Sequence, residues 1–183
     1  MPEYRRVFIK GGMYFFTIVA FNRQNIFSSA QARLLFLETV DHVQSFNPFT
    51  VVAYCILPDH IHMIWQMTED DADYSKRINA VKRRFSLKYQ QRFKNLPPKS
   101  SAQIKRREST IWQRRYWEHH IRDEVDFQNH VDYVHYNPVK HGLVSRVRDW
   151  EASSFFSYVK LGFYDLDWGD NMQNNQAGDR YGE

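Results

Sequence analysis

Residues 49–67 read Phe49-Thr50-Val51-Val52-Ala53-Tyr54-Cys55-Ile56-Leu57-Pro58-Asp59-His60-Ile61-His62-Met63-Ile64-Trp65-Gln66-Met67. Two apolar runs of strand length, rich in aromatic and β-branched residues, meet at Pro58-Asp59, a pair suited to a tight turn. The stretch therefore predicts an antiparallel hairpin with strands over Phe49–Leu57 and His60–Met67. Successive side chains on a strand point to opposite faces. His60 and His62 thus share one face, and Ile61, Met63 and Trp65 go to the other, toward a core. Two neutral imidazoles side by side make half of a divalent-metal site.

Working outward, Gly11-Gly12 ends an N-terminal arm, and Met13–Phe21 reads as a buried strand. Ser28-Ser29 can cap a helix running to about Ser45, with Leu34, Leu35, Leu37, Val40 and Val43 as its apolar side. Asn47-Pro48 is a turn. After the hairpin and an acidic loop (Thr68–Asp73), Ser75 can cap a helix over Lys76–Phe93. Its apolar stripe is Ile78, Val81, Phe85 and Tyr89, with Lys82, Arg83 and Lys88 lying off it. Lys94–Ser109 is a polar linker, and Ile111–Ile121 has strand-like aromatics. A last helix is expected from Asp123 to about Tyr136, with Asp123, Glu124 and Asp126 at its positive end and Asn137-Pro138 as its stop. Asp149–Phe163 can add a short element. The order β-α-β-β-α-β followed by a helix predicts an α+β, ferredoxin-like (RRM-like) domain, an antiparallel sheet with helices on one face and a C-terminal helix carrying a tyrosine. One domain over 1–168 and a loose acidic tail over 169–183 are expected.

Composition narrows the function. The chain has 183 residues, 43% of them hydrophobic and 16% aromatic, enough for a real core. No run reaches the roughly 18 apolar residues of a membrane span. The apolar run after Arg5, Arg6 and Lys10 lacks a small-residue cleavage site, so a cytoplasmic, nucleoid-associated protein is expected. The single cysteine, Cys55, excludes an intramolecular disulfide and a cysteine-rich zinc site. The net charge of +4 hides an asymmetry: Lys76–Arg122 holds 15 of the 25 Lys and Arg residues against two acids, Glu108 and Glu118. A basic middle of this kind points to nucleic acid.

The last helix carries His130, Tyr133 and Asn137 at spacings of three and four, hence one face bearing an imidazole, a phenol and an amide. Tyrosines on helices are mostly packing residues, and a lone His-x-His arises by chance. Glu118-His119-His120 is a weaker metal patch, because on a strand residues 119 and 120 point opposite ways.

The ordered set is far more specific. It comprises Glu3-Tyr4-Arg5-Arg6, Lys10-Gly11-Gly12, Leu57-Pro58-Asp59-His60-Ile61-His62 with Ile64-Trp65, and Ile111-Trp112-Gln113. It continues with Trp117-Glu118-His119 and with His130-Val131-Asp132-Tyr133 leading to Asn137-Pro138-Val139-Lys140-His141-Gly142. In it the chain, up to about Trp168, resembles the REP-associated tyrosine transposases, within the single-tyrosine HUH transposases. The resemblance implies that His60 and His62 are metal ligands, that Tyr133 is the nucleophile, and that Asn137 stands where relatives carry a polar residue, often Gln, that completes the shell of Mg²⁺ or Mn²⁺. Asp59 is either a support for a histidine or a turn residue.

The implied chemistry is cleavage of a phosphodiester by the Tyr133 phenolate, with a 5′-phosphotyrosine bond that another 3′-hydroxyl reverses. An ordinary phenol has a pKa of about 10, so ionising it at pH 7 costs about 4 kcal/mol unless the site helps. The implied substrate is single-stranded DNA with a REP hairpin, contacted by Tyr4, Arg5, Arg6 and Lys10 of the arm, by Lys82, Arg83 and Lys88, and by the 99–115 region with Arg114 and Arg115. Relatives act as monomers or as homodimers that exchange the tyrosine helix. Two rivals remain at this point: a hairpin-binding regulator without cleavage, and a nuclease that uses activated water.

Overall fold

The structure, a computed structural model, describes residues 6–93 and 110–170. Met13–Val19 (β1), Phe49–Ile56 (β2), His60–Met67 (β3) and Trp117–Ile121 (β4) form one sheet in the order β2-β3-β1-β4. Every neighbouring pair is antiparallel. Ala30–Phe46 (α1) joins β1 to β2, Tyr74–Phe93 (α2) follows β3, and Glu124–Lys140 (α3) follows β4. A short helix, Phe155–Lys160 (α4), comes last. This is the expected ferredoxin-like order, with β1 and β3 in the middle of the four-stranded sheet.

Alternation along the central strands builds two cores. Tyr14, Phe16 and Ile18 of β1 and Ile61, Met63 and Trp65 of β3 point to one face, where α1 and α2 cover them with Leu35, Phe36, Val40, Ile78, Val81 and Phe85. Phe15 and Ile64 point to the other face, where α3 covers them with Val131, Tyr133 and Val134. The tyrosine helix therefore lies across the sheet from α1 and α2. β2 joins this scheme through a bulge between Val51 and Ala53. The extra residue shifts the phase of the strand, so Ala53 and Cys55 face α3 whereas Phe49 and Ile56 face α1 and α2.

Caps and boundaries differ in places from the expectation. Ser29 caps α1 as predicted, its side chain accepting from Ala32 N. On α1, Leu35, Val40 and Val43 are buried as expected, but Leu34 is exposed and Phe36 faces the sheet in its place, with Ala32 and Thr39 completing the stripe. α2 is capped by Asp73, whose Oδ1 accepts from Lys76 N at 2.8 Å; Ser75 instead bonds the Tyr116 hydroxyl at 2.8 Å. β4 begins at Trp117, not at Ile111. Ile111 and Trp112 plug the α1/α2 core, and the Trp112 indole donates to Lys82 O at 3.1 Å, while the backbone makes one isolated antiparallel bridge, Ala20 to Trp112, beyond the end of β1. α3 runs one turn past Asn137-Pro138 to Lys140. Pro138 removes one helix N–H, but Asn137 and Pro138 are buried and His141 N still bonds Asn137 O at 3.0 Å, so packing carries the helix through. The polar linker Lys94–Ser109 and the tail beyond Asp170 lie outside the described residues. Among the described residues no helix is long and apolar enough to cross a membrane.

Candidate active site

His60 and His62 open β3 immediately after the Pro58-Asp59 turn. Both are buried, at 2% and 0% exposure, with ring centroids 4.8 Å apart. Each is held through Nδ1. Asp59 Oδ1 lies 2.6 Å from His60 Nδ1, and an ionised carboxylate only accepts, so Nδ1 carries the proton and Nε2 keeps its lone pair. Burial alone would raise the Asp59 pKa, but the His60 bond and the Arg23 guanidinium, 3.1 Å away, hold it below the ordinary carboxylate value. Thr17 on β1, paired with His62 in the register, places its hydroxyl 3.0 Å from His62 Nδ1. The two rings thus turn their Nε2 edges away from their supports.

α3 brings the phenol to this pair within the same chain. The Tyr133 ring lies 5.2 Å from the His62 ring and 5.9 Å from Phe15, which itself stacks on His62 at 5.4 Å. Asn137, one turn on, is fully buried, and its Oδ1 and His60 Nε2 are both buried polar atoms on this side of the sheet. Two imidazole nitrogens and an amide oxygen are a donor set that suits Mn²⁺ and, with added oxygens from water and phosphate, Mg²⁺. Tyr136 turns elsewhere, edge-on to Trp168 at 6.5 Å.

Two further residues stand at the site. Lys140 Nζ donates to the Tyr133 hydroxyl at 3.2 Å and sits 4.8 Å over its ring. Seven residues after Tyr133, it occupies the same helix face two turns on. Reading Asn137-Pro138 as the helix end hid it. His141 has its ring 5.2 Å from that of His60, at the exposed mouth.

The candidate DNA contacts divide. Lys10, Arg83, Lys88, Arg114 and Arg115 are exposed. Arg6 is occupied within the fold: it donates to Ser75 Oγ at 3.1 Å and to the Tyr116 hydroxyl at 2.8 Å, lies 4.3 Å over the Tyr116 ring, and approaches the buried Glu118 carboxylate at 3.5 Å. Lys82 donates to Gln113 O at 2.7 Å, and burial lowers its pKa to about 8. Both residues tie α2 to the segment before β4 and are poorly placed to grip phosphate. Tyr4, Arg5 and residues 99–109 lie outside the described residues.

Comparison with known proteins identifies the family. The family model described as "Transposase IS200 like" matches residues 9–137. A REP-associated tyrosine transposase of Escherichia coli (strain K12) is 38% identical over 98% of this chain and 98% of its own length. A Haemophilus influenzae (strain Rd) protein assigned to the same group is 45% identical over 98% of this chain and 99% of its own. A solved REP-associated tyrosine transposase bound to a REP hairpin superposes with a TM-score of 0.80 at 36% identity, covering 100% of this chain and 98% of that one. The chain belongs to the REP-associated tyrosine transposases, within the IS200-like transposases, and is a DNA-cleaving and rejoining enzyme.

Proposed function

We propose that this chain cleaves and rejoins single-stranded DNA carrying a REP-type hairpin, with Tyr133 as nucleophile at a divalent cation held by His60, His62 and Asn137 of the same chain. The observation that carries the proposal is the 5.2 Å approach of the Tyr133 ring to the His62 ring. When bound, Mg²⁺ or Mn²⁺ supplies a Lewis acid for the scissile phosphate and positive charge for the departing oxygen. Imidazole nitrogen favours Mn²⁺ over the more oxygen-seeking Mg²⁺.

The residues divide the remaining work. Asp59 and Thr17 fix the two rings. The Lys140 ammonium, 3.2 Å from the phenol oxygen, favours the phenolate once its proton has passed to solvent. The phenolate oxygen bonds to phosphorus and the P–O3′ bond breaks. Its electron pair stays on the 3′-oxygen, which takes a proton from water. The tyrosyl ester keeps the energy of the phosphodiester, so an incoming 3′-hydroxyl reverses the step without ATP. Phe15 and the α3 face exclude water from one side of the phenol. The exposed cations Lys10, Arg83, Lys88, Arg114 and Arg115 supply charge for the DNA backbone. The solved relative at 36% identity is bound to a REP hairpin, which supports that substrate class here.

The test is to incubate end-labelled REP hairpin DNA with the protein and Mn²⁺, then denature. Wild type and Tyr136→Phe form a covalent adduct, Tyr133→Phe forms none, and EDTA or His60→Ala abolishes it. An adduct that survives in Tyr133→Phe and disappears in Tyr136→Phe overturns the assignment. Salt-sensitive hairpin binding with no nicked product makes the chain a regulator, and free 5′-phosphate ends make it a water-using nuclease.

A further inference from the structure

Two imidazoles and a carboxylate converge a second time, on the far side of Phe15 from His62. His119 on β4 and Asp126 and His130 on α3 each offer a ligand atom, and these atoms lie within 4.8 Å of one another. The topology forces the meeting. β4 leads directly into α3, so Asp126 in the first turn and His130 one turn later both face back onto the strand. His119 Nε2 lies 2.8 Å from Asp126 Oδ2, and His130 Nδ1 lies 3.2 Å from Asp126 Oδ1. The His119 and His130 rings stack at 4.5 Å, 15° from parallel. Trp117 stacks on His119 from the other side at 5.9 Å, and Phe15 packs on His130 at 5.0 Å. The carboxylate is already ionised: burial would raise its pKa, but His119 and Arg122 hold it down to about 2.

We infer that His119, Asp126 and His130 form an accessory binding site for a zinc-class transition-metal ion, separate from the His60/His62 centre. Nitrogen, nitrogen and oxygen ligands are the set that zinc takes when it keeps a fourth position for water. The cluster is close to the spacing required, since neighbouring ligand atoms about 2.0 Å from a tetrahedral ion stand about 3.3 Å apart. The 2.8 Å His119–Asp126 contact would open by about half an ångström, and the wider separations, all within 4.8 Å, would close around the ion. Binding asks for three changes. His119 Nε2 gives up any proton to solvent. The His130 ring, whose Nδ1 donates to Asp126 O at 2.7 Å and which stacks nearly parallel to His119, turns so that a lone pair meets the ion. The Arg122 guanidinium, 3.2 Å from Asp126 Oδ2, swings off; its side chain is 70% exposed and free to do so. An ion here ties β4 to α3 one turn before Tyr133, and so fixes the helix that carries the nucleophile.

The experiment counts ions on the intact protein. After dialysis against chelator and titration with Zn²⁺, equilibrium dialysis with elemental analysis gives about two equivalents for wild type, one of them at the His60/His62 centre. His119→Gln retains one equivalent, and the His60→Ala/His62→Ala variant retains one. Adding His119→Gln to that variant abolishes tight binding. Circular dichroism checks that each variant is folded. Long-range ¹H–¹⁵N spectra of wild type avoid mutation altogether: Zn²⁺ shifts the ring nitrogens of His119 and His130 as well as those of His60 and His62. If His119→Gln binds as much as wild type, or the His60→Ala/His62→Ala variant binds none, or the ring nitrogens of His119 and His130 do not shift, the cluster is an ordinary ion pair holding α3 to β4 and the inference fails. None of these readouts depends on DNA cleavage, so failure here leaves the proposed reaction standing.

Discussion

Replacing Lys140 by methionine removes an ammonium that touches the Tyr133 oxygen and keeps most of the stem that packs on its ring. At 3.2 Å, Coulomb's law gives about 1.3 kcal/mol between a lysine and a phenolate at the dielectric of water, and about 5 kcal/mol at the value of 20 used near protein surfaces. Lys140 is half-buried at the end of α3, open enough to water to sit toward the lower figure. About 2 kcal/mol is the working number, which is roughly a thirty-fold loss in the chemical step. The assay is the single-turnover rate of covalent adduct formation at saturating labelled hairpin with Mn²⁺, beside fluorescence anisotropy for DNA affinity. Lys140→Met slows the adduct step and leaves hairpin affinity within about three-fold, because one phosphate contact at most is at stake. Lys140→Arg, which keeps the charge, recovers most of the rate. A Lys140→Met enzyme within two-fold of wild type at saturating DNA refutes the argument, as does a loss of affinity that accounts for the whole rate effect.

Other outcomes follow from the same coordinates. His135 is buried among Ser154, Tyr158 and Tyr164, and burial lowers its pKa to about 3. The unfolded chain therefore binds a proton below about pH 6.5 that the folded chain refuses, so stability falls on acidification. Between pH 7 and pH 5 the loss from this group is about 2 kcal/mol by urea unfolding, and His130, shifted the same way, adds to it. His135→Gln flattens that slope, and an unchanged slope contradicts the burial argument. A Cβ built on Gly12 lies 2.8 Å from Ile9 O and 2.9 Å from Tyr14 Cε2, so Gly12→Ala lowers stability by about 1–3 kcal/mol in the same assay. Because Tyr133 stands beside His62 of its own chain, mixing Tyr133→Phe with His60→Ala/His62→Ala restores no adduct; restoration means that the tyrosine helix is exchanged between subunits.

The hairpin was readable because period-two alternation in His60–Met67 leaves one register in which Ile61, Met63 and Trp65 are all buried. That register alone sets the two imidazoles side by side. Tyr133 and Asn137 were readable from helical spacing, but their meeting with the histidines was not, because no local pattern says which face of the sheet a trailing helix covers. The bulge at Val51/Ala53 was invisible for a related reason: β2 is apolar on both faces, so its pattern has no phase to break. Lys140 and His141 were lost to a sound rule applied at a buried place. Pro138 normally stops a helix, and here tertiary packing overrides it. Arg6 and Lys82 read as phosphate contacts because a sequence shows charge and not the acceptors, Glu118 and Gln113 O, that use it inside the fold.

The central claim is that the oxygen joined to DNA belongs to Tyr133. Cleavage after Lys and Arg releases Asp123–Lys140 as one peptide containing both Tyr133 and Tyr136, and fragmentation mass spectrometry of the trapped wild-type adduct locates the nucleotide on one of them. The account predicts a 5′-linked nucleotide on Tyr133 alone. Its appearance on Tyr136, or cleaved DNA with a free 5′-phosphate and an unmodified peptide, contradicts it.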